Sequence, residues 1–526
     1  MVRPFVVAIS LFLGTNGAAQ TLELSNATIA DFNAAFDAGT LTSEKLVSIC
    51  LARIAAYDEA GPKLNAVLAL NPKAIEEARA LDRERKSGGR RSPLHGIPVI
   101  LKDNIDTRDL PTTAGSFVLA GSLPPDDALI VKKFREAGAV ILAKVNMSEL
   151  ASGATMSSIG GASLNPHDVD RSPSGSSGGT GVAIAAGYAP IGIGTDTGGS
   201  IRGPSAANGI VGLKPTLGLV SRDGIVPLAL SFDTAGPMAR HVYDVAVTLG
   251  VIAGVDPADE ATRKSEGKVE ADYTKGLDPK ALAGARLGIA RDFMGQDPEF
   301  DWVVEASLDA MRAGGATVVD IKFPKWLLDS REELYFTIRH REFKAQIADY
   351  LATLGAEYPK TLSELLSRSK AVTAPGEGGI VPNPVRWKLL EREDASGTLE
   401  DYDYLAVREH VLPLMRAMIE GVMRKETLDA IVYPTSPRRP GRTDEDPNPG
   451  APQPLSPVNI ANLTGFPDLV VPAGFTGRGL PVGISFLGVA FSEARLLALG
   501  YAFEQATHAV RMPVSAPPLT GETIRR

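Results

Sequence analysis

Glycine is crowded into one stretch of this chain. Between Gly160 and Gly224, 16 of 65 residues are glycine, in a chain that carries 53 in 526. Without a Cβ, glycine tolerates positive φ and lets backbones approach closely, so such a stretch builds either a flexible linker or a site lined by backbone. Val182, Ile184, Ile191, Ile193 and Ile201 are interleaved with the glycines, and a flexible linker has no use for that apolar content. The stretch therefore reads as packed and site-forming. The rest of the composition bounds what that site can use. An apolar content of 44% with 22% charged residues supports a large core and excludes global disorder. The single cysteine excludes an internal disulfide framework and any Cys-based zinc or iron–sulfur centre. A net charge of −8 argues against a nucleic-acid-binding surface.

Met1–Ala19 reads as a secretory signal: Arg3, then the apolar run Phe5–Leu13, then Gly17-Ala18-Ala19 before Gln20. The expected division is a signal over 1–19 and one domain over 20–526, with the mature protein secreted or periplasmic. No other apolar stretch approaches ~20 residues, so no stable membrane insertion is expected. Cys50 falls with Leu46, Ile49, Ile54 and Tyr57 on one helical face, which makes it a core residue and not a nucleophile.

Residues 28–85 carry helical periodicity, with Thr42 and Ser43 as candidate caps and a second helix over Ala74–Arg85. The period then changes. Apolar runs at 97–101, 139–143 and 189–194 predict strands, with helices at 128–137 and 183–186 between them. This alternation implies a mostly parallel sheet covered on both faces. A further strand–helix–strand unit is expected over 286–290, 302–312 and 316–321, then mainly helices to 366 and a loop over 371–384. Strands return at 428–433, 469–471 and 482–487, and a helix closes the chain at 492–505.

Two serines lie inside the glycine-rich stretch. Ser176 sits in Gly175-Ser176-Ser177-Gly178-Gly179, and Ser200 in Gly194-Thr195-Asp196-Thr197-Gly198-Gly199-Ser200-Ile201-Arg202. A serine hydroxyl is a weak nucleophile unless a base takes its proton. Lys102, at the end of an apolar strand, is a candidate base, because desolvation lowers a lysine pKa. Gly198-Gly199 can present successive N–H groups to a developing oxyanion.

These blocks, with Lys102-Asp103 after the strand, resemble those of the amidase signature family. The resemblance extends to His95-Gly96-Ile97-Pro98-Val99, Gly212-Leu213-Lys214-Pro215-Thr216, Asp233-Thr234-Ala235-Gly236-Pro237-Met238, Asn462-Leu463-Thr464-Gly465-Phe466-Pro467 and Gly479-Leu480-Pro481-Val482-Gly483. It implies a single three-layer α/β/α domain around a large mixed sheet. The core would be 80–250 and 430–505, with a helical variable insertion at about 255–430. It also implies roles. Ser200 matches the nucleophile, Ser176 the bridging serine on a cis peptide after Gly175, and Lys102 the lysine that begins proton transfer. The N–H groups of Thr197, Gly198, Gly199 and Ser200 would hold the oxyanion, and Ser177, Asp196 and Arg202 would brace the loop. The implied activity is hydrolysis of carboxylic amides without metal or cofactor. A peptide C-terminal amide is the first substrate class expected, and an aryl or alkyl amide the next. The partner would be that small-molecule or peptide substrate, not nucleic acid, and the protein would be a monomer or homodimer. One departure is Ser174, where many members have glycine.

Other readings compete. Gly175-Ser176-Ser177-Gly178-Gly179 also fits G-x-S-x-G, which would make Ser177 the nucleophile of an α/β-hydrolase-type esterase with His508 or His410 as base. Ser172-Pro173-Ser174 before it reads as a turn and not the required strand. Ser367-Arg368-Ser369-Lys370 has S-x-x-K spacing without its companion motifs. Gly192 and Gly194 lack a third glycine at dinucleotide-loop spacing. His95, His167, His241 and His340 show no metal-ligand spacing. An amidotransferase A-subunit-like protein is an alternative that the signal segment disfavours, and an exported binding protein would not need Lys102, Ser176 and Ser200 together.

Overall fold

A computed structural model describes residues 21–23, 26–153, 155–376, 379–443 and 457–525. The expected signal segment lies outside the described residues.

Eleven strands form one central sheet: β1 (Val67–Leu70), β2 (Pro98–Lys102), β3 (Val140–Val145), β4 (Ile191–Asp196), β5 (Val211–Lys214), β6 (Thr234–Ala239), β7 (Arg286–Ala290), β8 (Thr317–Ile321), β9 (Ala430–Pro434), β10 (Asp468–Phe475) and β11 (Pro481–Leu487). Their spatial order is β8-β7-β9-β11-β10-β5-β6-β4-β2-β3-β1. Helices pack against the sheet to give the α/β architecture that the resemblance implies. The sheet is mixed, which corrects the mostly parallel arrangement expected from strand–helix alternation. β2 pairs in parallel with β3 and β4, and β7 with β8 and β9. The other neighbours, including the β10–β11 pair and both sides of β5, run antiparallel.

Three strands, β1, β5 and β6, lie where the sequence predicts none. β1 lies at the sheet edge within the region read as helical, and all four of its residues are half-buried, so it offers no alternation that periodicity could detect. β6 contains Gly236 and Pro237, which read as turn signals, yet it is an interior strand. The physical reason is local. β5 pairs with β6 only at Ala239 and Met238, whereas β4 pairs along all of it. Pro237 therefore lies where the ladder to β5 has ended, and its missing N–H breaks no bond there.

β2 is an apolar strand sealed on both faces. Val99, Ile100 and Leu101 are fully buried, each worth roughly 1.5–3 kcal/mol of burial. Beside it packs the helix Gly178–Ala185, which starts immediately after the two adjacent serines. Its close seating requires glycine. A Cβ on Gly179 would stand 2.3 Å from the Asn146 carbonyl oxygen, and the Gly179 N–H donates to that oxygen at 3.0 Å.

Between 255 and 430 the main described elements are β7, the helix Pro298–Ala313, β8 and, from Lys325 onward, mainly helices. The long helix Lys325–Ala352 buries Leu327 and Ile338 in one apolar cluster and Phe343, Ile347 and Leu351 in another. Its Tyr350 Oη donates to Asp106 Oδ1 at 2.9 Å, which ties it to the segment that follows β2. Cys50 is buried in the helix Ser43–Ile54, capped by Thr42, and burial pushes its thiol up to about 12. No helix among the described residues is long and apolar enough to cross a membrane.

Candidate active site

The parallel pairing of β2 with β4, Leu101 opposite Ile193, brings the last residue of β2 beside Thr195. That residue is Lys102, fully buried. Its Nζ lies 2.7 Å from Ser176 Oγ, 2.7 Å from Thr195 Oγ1 and 3.3 Å from the Thr195 carbonyl oxygen. Burial in this apolar strand end brings the lysine down to about 7, against the opposing pull of Asp196 and Asp233. Near neutral pH the amine therefore exists in part as a free base.

Ser176 follows a cis peptide bond from Gly175. Its carbonyl accepts the Ser148 N–H at 3.0 Å, which anchors the loop to the segment after β3. Ser174, where many family members have glycine, takes the left-handed conformation, φ +62°. Ser200 lies in the turn between β4 and the helix Arg202–Ala207 and is half-buried. Its carbonyl accepts the Ser177 N–H at 3.2 Å, so the two serine-bearing turns are joined through backbone. No hydrogen bond joins the Ser176 and Ser200 hydroxyls. Catalytic hydrogen bonds often close only when substrate binds.

Ser177 points elsewhere. Its Oγ donates to the Thr195 carbonyl at 3.2 Å and accepts the Thr195 N–H at 3.3 Å, fully buried. It pins the turn to β4 and is unavailable as a nucleophile. His410 and His508, the bases an esterase reading would need, are both exposed.

A buried charge network shapes the turn. Asp196 Oδ1 accepts the Gly199 N–H at 2.8 Å and the Asn462 amide at 2.8 Å, and Oδ2 accepts the Ile201 N–H at 2.9 Å. Arg202 donates to Asp196 through Nε at 3.1 Å, to Asp468 at 2.8 Å and to the Asn462 side-chain oxygen at 2.6 Å. Tyr433 donates to Asp468 at 2.6 Å. Burial alone would raise the Asp196 carboxyl, but the Arg202 guanidinium outweighs it and holds Asp196 well below the usual carboxylate range. The members of this network come from β4, β9, β10 and the helix Ile460–Thr464, so the turn is gripped from several remote parts of the chain.

The same network sorts the turn's N–H groups. That of Gly199 is committed to Asp196, whereas those of Thr197, Gly198 and Ser200 make no hydrogen bond among the described residues. The Thr197 hydroxyl donates to Asp233 at 2.5 Å, and Asp233 in turn accepts the N–H groups of Leu228 and Ala229 at 2.8 and 2.9 Å. Tyr335, from the long helix, covers the turn. A Cβ on Gly198 would meet its Oη at 2.6 Å, and its ring stacks on Phe232 at 5.4 Å. A cavity of about 220 Å³ opens here, lined by Gly198, Glu332, Tyr335, Phe336, Val458 and Asn459.

Thr195, Asn104, Asp233 and Tyr335 belong to this site although the sequence assigns them no individual role. Asn104 Nδ2 donates to Thr195 Oγ1 at 3.1 Å. Thr195 and Asn104 lie within or beside the motifs, and Asp233 opens another. Nothing in the sequence marks Tyr335. Among the described residues no group of three or more His, Cys, Asp or Glu side chains is placed to hold a metal.

A lysine amine held against one serine hydroxyl, a second serine on an adjoining turn and free N–H groups beside it can perform acyl transfer. The comparisons with known proteins agree. The Amidase family model matches residues 45–497. The solved structure of native peptide amidase from Stenotrophomonas maltophilia is 40% identical, with a TM-score of 0.85 over 94% of this chain and 99% of that one. The A-subunit of the glutamyl-tRNA(Gln) amidotransferase of Chloroflexus aggregans is 37% identical over 92% of this chain and 97% of its own length. A probable amidase of Arabidopsis thaliana is 35% identical over 95% of both. With family blocks, mixed sheet and relatives along nearly its whole length in agreement, the chain belongs to the Amidase family and is an amide-hydrolysing enzyme.

Proposed function

We propose that the enzyme hydrolyses the C-terminal amide of peptides, with aryl and alkyl amides as further substrates, through an acyl-enzyme on Ser200. Neutral Lys102 accepts the Ser176 proton, Ser176 accepts that of Ser200, and Ser200 Oγ attacks the amide carbonyl. The N–H groups of Thr197, Gly198 and Ser200 receive the oxyanion. The proton returns through Ser176 to the departing nitrogen, the C–N bond breaks, and ammonia or an amine leaves. Water, deprotonated along the same route, then cleaves the ester to release the acid and restore Ser200. Asp196, Arg202 and Ser177 hold the two turns in register.

The observation that carries this reading is the 2.7 Å contact between a buried Lys102 amine and Ser176 Oγ. Support for a peptide amide comes from the likeness to a peptide amidase. A panel of peptide amides, anilides and alkyl amides tests it, with released ammonia and amine measured for the wild type, Ser200→Ala and Lys102→Ala. The expected result is ammonia from peptide amides, abolished in Ser200→Ala and lowered by orders of magnitude in Lys102→Ala. Near-normal turnover by Ser200→Ala would overturn the reading.

A second reading follows from the likeness to an amidotransferase A-subunit: an ammonia-releasing component that works within a complex. It predicts feeble amide hydrolysis by the isolated chain. We favour a self-sufficient monomer or homodimer exported by the Met1–Ala19 segment. Sequencing the N-terminus of the protein recovered outside the cytoplasm tests export; a chain still beginning at Met1 there would contradict cleavage.

A further inference from the structure

Asn459, which lines the cavity beside Gly198, carries a buried polar atom that the folded chain leaves unused. Asn459 is 9% exposed. Its Oδ1 is shielded from solvent with no hydrogen-bond partner, and its Nδ2 makes no bond among the described residues. Such groups are rare in folded proteins because a buried amide without partners is unfavourable. Its position makes the omission more informative. Asn459 precedes the helix Ile460–Thr464, where an asparagine ordinarily turns its oxygen onto the first-turn N–H groups. Here φ −79° and ψ −9° are helical and no side-chain cap forms. Asn459 instead lines the cavity with Gly198, Tyr335 and Phe336, its Oδ1 turned away from solvent. The Tyr335 hydroxyl beside it also lacks a hydrogen-bond partner among the described residues.

A carboxamide offers one donor end and one acceptor end, and rotation about its last bond exchanges them. Its natural complement is another amide group. When the leaving group is ammonia, everything else in the substrate lies on the acyl side, and the cavity adjoins Gly198, whose N–H faces the proposed oxyanion. We propose that the Asn459 carboxamide hydrogen-bonds the peptide group next to the scissile amide, and so selects acylated amino-acid and peptide amides over simple amides. The Tyr335 and Phe336 rings give that part of the substrate an apolar wall. Asn459 is a specificity-determining residue here, and this inference rests on the proposed function above.

The test is a two-by-two comparison of kcat/KM. N-acetylphenylalanine amide is paired with 3-phenylpropanamide, which keeps the ring and the scissile amide but lacks the acylamino group. Each is assayed with the wild type and with Asn459→Leu. A site built to bond a polar group discriminates strongly against an analogue lacking it, so the wild type should prefer the acylamino substrate by about 10- to 100-fold. Asn459→Leu should lose most of that preference by losing rate on the acylamino substrate alone. Asn459→Asp, which keeps an acceptor and nearly the same shape, should retain part of it, and it serves as the test variant should the leucine protein not fold. A purely structural role would lower both substrates together. Preference that survives Asn459→Leu, or equal rates with both substrates in the wild type, would overturn the inference while leaving Ser200-dependent turnover intact. Turnover that survives Ser200→Ala would instead overturn the proposed function.

Discussion

The protonation of Lys102 should set the acid limb of activity. The amine is fully buried, and burial lowers it to about 7. Only the neutral form can take the Ser176 proton. Acylation should therefore be near its plateau above pH 8 and fall about tenfold per pH unit below 7, reaching about 1% of the plateau at pH 5. The sign is fixed by the group: acid charges the amine and removes the base. Asp233 pulls the lysine upward, so Asp233→Asn, which keeps the size of the side chain, should move the midpoint to lower pH. The assay is the second-order rate of modification by a fluorophosphonate from pH 5 to pH 9, alongside kcat/KM for an amide substrate. Circular dichroism at each pH confirms that the fold persists. A profile flat down to pH 5 would refute a lysine base, and an upward midpoint in Asp233→Asn would refute the upward pull of Asp233 on the lysine.

Asp196→Asn leaves the Arg202 guanidinium buried with half its pairing gone, so it should lose about 3–5 kcal/mol of stability in denaturant unfolding; an unchanged midpoint would contradict the bracing role. Gly198→Ala places a methyl 2.6 Å from Tyr335 Oη; we expect at least a tenfold loss of kcat/KM with little change in Tm, whereas normal kinetics would mean that the turn can shift freely. Cys50 is buried, with its thiol at about 12; a maleimide should label it only after unfolding, and labelling of the native protein would place it at the surface.

Much of this was legible because the chemistry sits in short, contiguous motifs. Lys102 ends an unbroken apolar run, and Ser176 and Ser200 stand among glycines whose need is local, as at Gly179 against the Asn146 backbone. What was not legible depends on contacts between distant residues. Arg202 meets Asp468 across 266 positions, and Tyr335 reaches the turn from a helix whose sequence has no motif. β6 was hidden because Gly236-Pro237 is a turn signal everywhere except where a neighbouring ladder has stopped. β1 was hidden because an edge strand buried evenly on both faces has no period. The commitment of the Gly199 N–H to Asp196 also lies beyond sequence, since a motif identifies the turn but not the direction each N–H takes.

The central claim is that Ser200, served by Ser176 and Lys102, carries the acyl group. Peptide mapping by mass spectrometry after fluorophosphonate labelling at pH 8 tests it most directly. A single adduct on Ser200, absent from Ser200→Ala and formed far more slowly in Lys102→Ala, is the expected result. An adduct on Ser177, or undiminished labelling of Ser200→Ala, would contradict it.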